Sequence, residues 1–410
     1  MIRQKEEEKK EKLSEMKTEG MRALAYSVND AAGIPWTVIY MLEDGRIRRV
    51  FTEQTDAPGV GDIYLARVVQ ISKAISASFV ETEGGRFFLP GIYPVGTVLP
   101  VMVETLAYRE KLAKATTALS VNGSWMVMSL GQPGIRYSRK LTAEQKKRLE
   151  KICDTMGIRD LIEEQGVGIL FRTKAQEAGE EELKKEAQDL AAVLWEIRKR
   201  GETETSCMRL YASGSVVAQS LQRIAENGGI WITESAALYE RARSEAVRTG
   251  TDMALLRWYE DDSVSMAALY GLQAKVKRIC SERVWLDCGA ELVITEAEAM
   301  CVIDVNSAKV RPGKGREETF LKLNLEAARE ILYQVEARNI SGTILIDFIS
   351  MEDKESETIL LSEMRSLAKG TYPPIKVVDI TKLGIMETTR QRLEGSIKEK
   401  IHLLNKTILL

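Results

Sequence analysis

The sequence of 410 residues is poor in the residues that several enzyme classes need, with one histidine, five cysteines and a net charge of −2. A single histidine, His402, cannot supply the histidine pair of metal-free RNA cleavage, a Ser-His-Asp triad or a histidine-rich zinc site. The cysteines form no C-x-x-C pair, so we expect reduced thiols rather than a zinc site or a disulfide framework. If this protein cleaves phosphodiesters, a carboxylate-bound metal ion must supply the chemistry.

Long apolar runs are also missing. No apolar run reaches 18 residues and no secretory leader is recognisable, so we expect a cytoplasmic protein without membrane contact. The net negative charge argues against a generally basic nucleic-acid binder, so any attraction for phosphate must be local. Length and an apolar share of 44% fit a globular α+β protein of several subdomains.

Two predicted strands that each end in a carboxylate form the most informative pattern. Residues 301–310, CVIDVNSAKV, contain Asp304, and residues 342–351, GTILIDFISM, contain Asp347. Between them, apolar residues at three- and four-residue steps predict a helix, and its length favours a crossover between parallel neighbouring strands. We therefore expect the two aspartates on neighbouring strands of one sheet.

The side chains around these aspartates suggest a metal site. Asn306 shares a face with Asp304, because side chains alternate along a strand. The residues around Asp347 are nearly all apolar and predict a strand buried on both faces, where an unpaired carboxylate would be costly. Mg²⁺ prefers oxygen ligands and is typically held by one or two carboxylates and a substrate phosphate. Asp304 and Asp347 fit that requirement, although a solvated strand end or an ion pair would use the same residues.

Residues 61–121 contain short alternating strands with glycine turns, which predict a small five-stranded barrel ending in ATTALSV. OB-type barrels bind single-stranded nucleic acid by stacking bases on aromatic side chains. Phe79 and Phe88 are the candidates for such a platform. The alternative is that both belong to the core, where a phenylalanine on a strand is more often found.

Three further segments contain a helix-capping pattern or residues suited to phosphate binding. Thr142 and Gln145 predict a capping box that opens a helix. Arg172 and Thr173 end a strand, where an arginine beside a hydroxyl can bind a terminal phosphate through charge-assisted hydrogen bonds, although such pairs are common at ordinary strand ends. The loop 307–319 is basic and glycine-rich, and either lies over a phosphate backbone or is simply solvated. Its cations are Lys309, Arg311, Lys314 and Arg316.

The ordered motifs IDVNS, EET, NLEAA and IDFI, followed by DITKLGIMETTRQRL at 379–393, resemble the catalytic subdomain of the ribonuclease E/G family of endoribonucleases. SFVE followed by FFLPG resembles the S1-like domain of the same family. The resemblance implies Asp304 and Asp347 as metal-binding catalytic residues with Asn306 beside them. It also implies RNA contacts by Phe79, Phe88, Lys111, Arg139 and Tyr270, and a 5′-phosphate pocket of Gly123, Val127, Arg172 and Thr173.

The sequence departs from the family pattern in three places. Pro374 stands where the family has a further pocket arginine, with Lys376 the nearest cation, and Leu269 stands where a histidine precedes Tyr270. The C-x-x-C zinc link that commonly follows the catalytic subdomain is absent. We therefore expect Mg²⁺ and no zinc, and a homodimer would have to form without that link.

The resemblance implies a Mg²⁺-dependent endoribonuclease that hydrolyses single-stranded RNA and leaves 5′-phosphate and 3′-hydroxyl ends. Two alternatives stay open: a non-catalytic RNA-binding or scaffold relative of the family, and a Mg²⁺ phosphodiesterase acting on DNA. The implied α+β organisation is a charged leader (1–20), a ribonuclease-H-like subdomain (21–58 and 205–276), an S1-like OB barrel (59–121), a 5′-sensor region (122–204) and a DNase I-like catalytic subdomain (277–400).

Overall fold

The computed structural model describes residues 20–54, 57–107, 111–261, 263–307, 315–371 and 373–404. The strands are β1 Met21–Asn29, β2 Pro35–Glu43, β3 Arg46–Gln54, β4 Ile63–Ser72, β5 Ala77–Thr82, β6 Gly85–Pro90, β7 Val98–Thr105, β8 Ala113–Thr116, β9 Ser120–Asn122, β10 Met126–Leu130, β11 Gly134–Tyr137, β12 Val167–Phe171, β13 Met208–Tyr211, β14 Gly229–Thr233, β15 Leu256–Trp258, β16 Arg283–Trp285, β17 Glu291–Glu296, β18 Met300–Asn306, β19 Gly342–Asp347, β20 Ile375–Ile380 and β21 Ile385–Arg390. The helices are α1 Ala143–Thr155, α2 Ile158–Gln165, α3 Glu180–Thr203, α4 Val216–Asn227, α5 Ala236–Thr249, α6 Met266–Leu269, α7 Leu272–Ile279, α8 Arg316–Ala337, α9 Lys354–Ala368 and α10 Ile397–Leu403.

The chain divides into two compact units: an insert unit, Asp56–Ser215, and a main unit formed by the residues before and after it. Strand β13 pairs antiparallel with β4, with Met208 opposite Leu65, and therefore belongs to the insert unit. That the ribonuclease-H-like part resumes at residue 205 stays a prediction. The finer division into subdomains stays a prediction, and most of the charged leader lies outside the described residues.

The insert unit contains the predicted barrel. Its strands follow the order β4-β5-β6-β8-β7, and β7 pairs back onto β4, which closes a five-stranded barrel compatible with an OB-like fold. The fifth barrel strand along the chain is β8, which ends at Thr116 and lies between β6 and β7, whereas the whole of ATTALSV was predicted as this strand. Strand β9, which begins at Ser120, pairs instead with β10. The barrel interior is filled by apolar side chains that include Tyr64, Val80, Phe87, Leu89 and Val101.

A four-stranded sheet with the order β11-β12-β10-β9 completes the insert unit, and α1, α2 and α3 pack against it. The predicted capping box at the start of α1 is confirmed. The Thr142 hydroxyl accepts from the Gln145 N–H at 3.3 Å, and the Gln145 side chain accepts from the Thr142 N–H at 2.8 Å. These reciprocal bonds satisfy amides that otherwise have no partner at a helix start.

The main unit contains two sheets. The first has the order β15-β14-β1-β2-β3, and hydrophobic clusters cover both of its faces. Strands β2 and β3 form a hairpin at its edge, and Asp44 and Gly45 adopt positive φ angles of 49° and 73° in the turn between them. Among the residues that the structure describes, no helix is both long and apolar enough to span a membrane.

The second sheet, here called the aspartate sheet, has the order β16-β17-β18-β19-β21-β20. Helix α8 connects the parallel neighbours β18 and β19, which confirms the predicted crossover. Helices α8 and α9 pack on the face that carries Ile303 and Val305, which are both buried. The basic loop was expected to extend to residue 319, but α8 already begins at Arg316; Lys309, Arg311 and Lys314 lie outside the described residues.

Candidate active site

The two predicted metal-binding aspartates lie side by side on the open face of the aspartate sheet. Asp304 in β18 and Asp347 in β19 are direct partners in the parallel register, and neighbouring strands lie about 4.8 Å apart. Asp304 is half-buried and Asp347 is exposed. The expectation that β19 is buried on both faces is therefore wrong. Ile344 and Ile346 face the helices, whereas Leu345 and Asp347 face the open side.

Asn306 contacts this pair directly. Its amide Nδ2 donates a hydrogen bond to Asp304 Oδ2 at 2.7 Å, which fixes the orientation of that carboxylate. Among the described residues, no group of three or more histidine, cysteine, aspartate or glutamate side chains is arranged to hold a metal ion. A metal ion at this position would have two carboxylate ligands and complete its shell with water or substrate oxygens. That ligand set fits Mg²⁺.

Asn324 positions the backbone that follows Asp347. Its side chain is 0% exposed on α8, where Nδ2 donates to the Ile349 carbonyl at 2.8 Å and Oδ1 accepts from the Ile349 N–H at 3.1 Å. These two bonds hold the chain two residues after Asp347. The motif NLEAA contains this residue, but no role could be assigned to it from the sequence. Sequence alone does not tell which backbone group a buried side-chain amide contacts.

A row of side chains extends from Asn306 to the edge of the sheet. Glu291 lies opposite Asn306, and Trp285 lies opposite Glu291 and is 52% exposed. Glu291 is buried; its Oε2 accepts from Arg283 Nη1 at 2.7 Å, and its Oε1 finds no hydrogen-bond partner in the described chain. Sequence reasoning did not select these residues. The available signal was an indole two residues after an arginine on a short strand.

The barrel presents the two predicted aromatic residues together on its outer surface. Phe79 and Phe88 are cross-strand partners, half-buried, with ring centroids 6.1 Å apart in an edge-to-face arrangement. The Arg86 guanidinium lies 5.1 Å from the centre of the Phe79 ring. Lys114, which the sequence analysis did not select, is the register partner of Phe88. Both phenylalanines thus lie outside the barrel core with cations beside them.

The other predicted RNA contacts differ in their exposure. Lys111 and Arg139 are exposed in the insert unit. Tyr270 is only 8% exposed and packs in a hydrophobic cluster of the main unit, where burial raises the pKa of its hydroxyl and Arg22 opposes that rise. A contact between RNA and Tyr270 would require this side chain to leave the core.

The residues of the predicted phosphate pocket lie at one end of the four-stranded sheet. The turn between β9 and β10 is closed by the Gly123 N–H, which donates to the Met126 carbonyl at 2.8 Å. Arg172 follows β12, and its N–H donates to the Trp125 carbonyl at 2.8 Å. Its guanidinium Nη2 donates to Asn122 Oδ1 at 3.0 Å. Arg172 is therefore fixed against this turn.

The remaining two pocket residues lie beside it. Val127 is half-buried in β10 and pairs with Leu170 of β12. Thr173 directly follows Arg172, and its hydroxyl lies 3.0 Å from the Ser138 hydroxyl. The structure thus brings all four residues around the end of β12.

A carboxylate that the sequence analysis missed also reaches this turn. Glu186 of α3 accepts hydrogen bonds from the N–H groups of Ser124 at 2.5 Å, Trp125 at 2.9 Å and Met126 at 3.0 Å. Burial raises the pKa of Glu186, and these three donors oppose the rise. A Cβ atom at Gly123 would lie 2.4 Å from the Glu186 carboxyl carbon. No local signal could reveal the contact, because its partners are some 60 positions apart in sequence.

The chain is similar in sequence to known proteins. A model of the Ribonuclease E/G family matches residues 120–393, more than half of the chain. Ribonuclease E of Haemophilus influenzae is 26% identical over 396 residues, which cover 88% of this chain and 41% of that protein. Ribonuclease E of Escherichia coli is 25% identical, covering 88% and 36%, and ribonuclease G of Escherichia coli is 24% identical, covering 88% and 79%.

The extent of these matches differs between the two kinds of relative. The chain spans less than half the length of the two ribonuclease E proteins and most of the length of ribonuclease G. The family match includes the four-stranded sheet, Asp304, Asn306 and Asp347. The chain belongs to the ribonuclease E/G family.

Proposed function

We propose that this protein is a Mg²⁺-dependent endoribonuclease that hydrolyses single-stranded RNA. The observation that carries the proposal is the pair of register partners Asp304 and Asp347 on an open sheet face, with Asn306 bonded to Asp304. Relatives named ribonuclease E and ribonuclease G support RNA as the substrate class.

The proposed chemistry assigns a separate task to each residue. Mg²⁺ held by Asp304 and Asp347 would supply the positive charge that polarises the scissile phosphate and activates water. Asn306 keeps the Asp304 carboxylate in a fixed orientation, and Asn324 fixes the backbone beyond Asp347. In the proposed step a water oxygen bonds to the scissile phosphorus, the P–O3′ bond breaks and the departing 3′ oxygen takes up a proton, so the products carry 5′-phosphate and 3′-hydroxyl ends.

RNA binding is proposed for the outer surface of the barrel. Bases stack on aromatic side chains with about 1–3 kcal/mol per base, largely independently of sequence. Phe79 and Phe88 form a half-buried pair of suitable size, and Arg86 supplies positive charge beside them, whereas Lys114 is ion-paired with Glu104 at 2.8 Å. This local positive charge would attract RNA phosphates although the chain as a whole has a net negative charge. The exposed cations Lys111 and Arg139 would extend the contact.

The remaining expectations from the sequence are also part of the proposal. The ribonuclease-H-like, 5′-sensor and DNase I-like subdomain assignments belong to the proposal, as do the cytoplasmic location and a homodimer. A non-catalytic RNA-binding scaffold stays the alternative, because the aromatic surface would bind RNA without any chemistry at the aspartates.

Three substrates in parallel test the proposed function. The purified protein is incubated with labelled single-stranded RNA, the matching DNA and a double-stranded RNA, each with Mg²⁺ or with excess EDTA. We expect cleavage of the single-stranded RNA only, dependent on Mg²⁺, with products that a 5′-phosphate-dependent exonuclease degrades. Equal cleavage of DNA would favour the general phosphodiesterase, and RNA binding without cleavage at any Mg²⁺ concentration would favour the scaffold.

A further inference from the structure

We propose that Glu291 and Trp285 form a nucleotide subsite beside the aspartate pair, in which the Glu291 carboxylate accepts a hydrogen bond from a ribose 2′-hydroxyl. The inference rests on the proposed function, which makes RNA the substrate. It assigns a preference for RNA over DNA to one side chain of the aspartate sheet.

The first step is an oxygen without a donor. Glu291 is 6% exposed, and its Oε2 accepts from Arg283 Nη1 at 2.7 Å, but its Oε1 has no hydrogen-bond partner among the described residues. A buried acceptor without a donor is costly, and a carboxylate can only accept, so a donor or a cation is the missing partner. Within the described chain, Glu291 does not join Asp304 and Asp347 in a metal-binding group of three carboxylates, which favours a donor.

The second step is the order of side chains across the open face of the sheet. Asn306, Glu291 and Trp285 are successive register partners on β18, β17 and β16. Neighbouring strands lie about 4.8 Å apart, so the backbone of Trp285 is about 10 Å from that of Asn306, with Glu291 between them. The order of aspartates, Glu291 and indole therefore matches the order of phosphate, ribose and base in one nucleotide.

The third step identifies the donor. In a nucleotide within a chain the 3′ and 5′ oxygens are esterified, so the 2′-hydroxyl is the only hydrogen-bond donor of the sugar. This hydroxyl is also the group that distinguishes RNA from DNA. The Trp285 indole, 52% exposed, offers a surface on which any base can stack. The subsite therefore recognises the sugar and tolerates different bases.

Arg283 makes this subsite compatible with a polyanion. Its guanidinium is ion-paired with Glu291, so the negative charge of the carboxylate is balanced where RNA phosphates would approach. Arg283 and Trp285 flank Glu291, and their side chains are both largely exposed, that of Arg283 by 66%. Exposed side chains change rotamer within nanoseconds, so both can move aside as a ribose reaches Oε1.

A buried water molecule bonded to Oε1 is the alternative to be tested. Buried waters commonly satisfy polar groups of this kind, and Glu291 would then only join β17 to β16 through Arg283. The two roles differ in what happens when the carboxylate is removed. Loss of a 2′-hydroxyl acceptor removes the preference for ribose, whereas loss of a structural link leaves that preference unchanged.

The experiment measures binding by the full chain carrying Asp304→Asn and Asp347→Asn. These changes prevent cleavage and remove the negative charge that a metal ion would otherwise neutralise. Fluorescence anisotropy compares a short labelled single-stranded RNA with a strand of the same bases whose 2′-hydroxyls are replaced by fluorine. Fluorine keeps the RNA-like sugar conformation but cannot donate a hydrogen bond. Glu291→Ala is the test variant. Glu387→Ala is the matched control, because Glu387 is an exposed acid whose register partner Leu345 lies on the same open face.

We expect the parent protein and the Glu387→Ala variant to bind the RNA about tenfold more tightly than the fluorinated strand, which corresponds to 1.4 kcal/mol. We expect Glu291→Ala to reduce this preference to about threefold or less. If alanine prevents folding, Glu291→Gln keeps the size of the side chain and must also lower the preference. A hydrogen bond to a neutral amide is weaker than one to a carboxylate.

Two results would overturn the inference. One is a preference below about threefold in the parent protein. The other is a Glu291→Ala variant with the circular dichroism spectrum of the parent and an undiminished preference. Because the readout is binding, its outcome is separate from that of the proposed function. A failure of the unmodified protein to cleave RNA would refute the catalytic assignment and leave this comparison intact.

Discussion

Replacing Asn324 by alanine should reduce both stability and catalysis, because this buried amide holds the backbone two residues after Asp347. The change deletes the bonds from Nδ2 to the Ile349 carbonyl and from the Ile349 N–H to Oδ1. Each backbone group left without its partner in a partly buried position costs about 1–2 kcal/mol, which gives a total of about 2–4 kcal/mol. In a unit of this size that loss lowers the melting temperature by about 4–16 °C.

The assay combines thermal unfolding, followed by circular dichroism, with single-turnover cleavage of a single-stranded RNA well below the transition. Asn306→Ala is the matched control, since Asn306 is exposed and its bond to Asp304 joins two side chains of the site. We expect Asn306→Ala to keep the wild-type melting temperature and to lose about tenfold or more in cleavage rate, because hydrogen bonds to charged groups contribute about 1.5–3 kcal/mol. A melting temperature within about 1 °C of wild type for Asn324→Ala would refute the assigned role of Asn324.

Alanine at Phe79 should weaken single-stranded RNA binding by about 1–3 kcal/mol in an anisotropy titration, and an unchanged Kd would remove the barrel surface from the proposal. Glu394→Gln should lower the free energy of unfolding at neutral pH by about 3 kcal/mol, because it breaks ion pairs with Arg49 at 3.1 Å and Lys400 at 2.8 Å. Burial raises the pKa of Glu394, but Lys400 and Arg49 more than offset it, so the pKa lies below its ordinary value. The stabilisation by Glu394 is therefore present above the ordinary carboxyl pKa and lost as the pH falls through the lowered one, and denaturant titrations should find that the difference from Glu394→Gln shrinks in acid. Trp285→Ala should lower kcat/KM for RNA by up to about tenfold while Trp285→Phe keeps most of it, and equal kinetics for all three proteins would exclude substrate contact by the indole.

The strand, helix and strand around the aspartates could be predicted because their signals are local. Alternation placed Asp304 and Asn306 on one face, and helical spacing gave the crossover that makes Asp304 and Asp347 neighbours. The apolar run of β19 led to the wrong prediction that both faces of this strand are buried. Such a run does not tell which faces of a strand other elements cover. The helices cover one face only, and Asp347 lies on the other.

Features that depend on contacts between distant segments could not be predicted from the sequence. The barrel includes β8, Ala113–Thr116, and the four residues of this strand do not indicate that it pairs with both β6 and β7. Glu186 of α3 bonds to the β9–β10 turn, but the many charged residues of this helix do not indicate in the sequence which of them contacts a distant segment. Tyr270 was assigned to the substrate by resemblance, but burial of its side chain depends on the packing of several elements.

The central claim is that Asp304 and Asp347 together form the catalytic metal centre. The most direct measurement compares RNA cleavage and RNA binding by wild type, Asp304→Asn, Asp347→Asn and the double variant, each with Mg²⁺ and with EDTA. We predict that each substitution abolishes Mg²⁺-dependent cleavage, while the Kd for single-stranded RNA and the melting temperature stay close to wild type. Mg²⁺-dependent cleavage retained by the pure double variant would contradict the account.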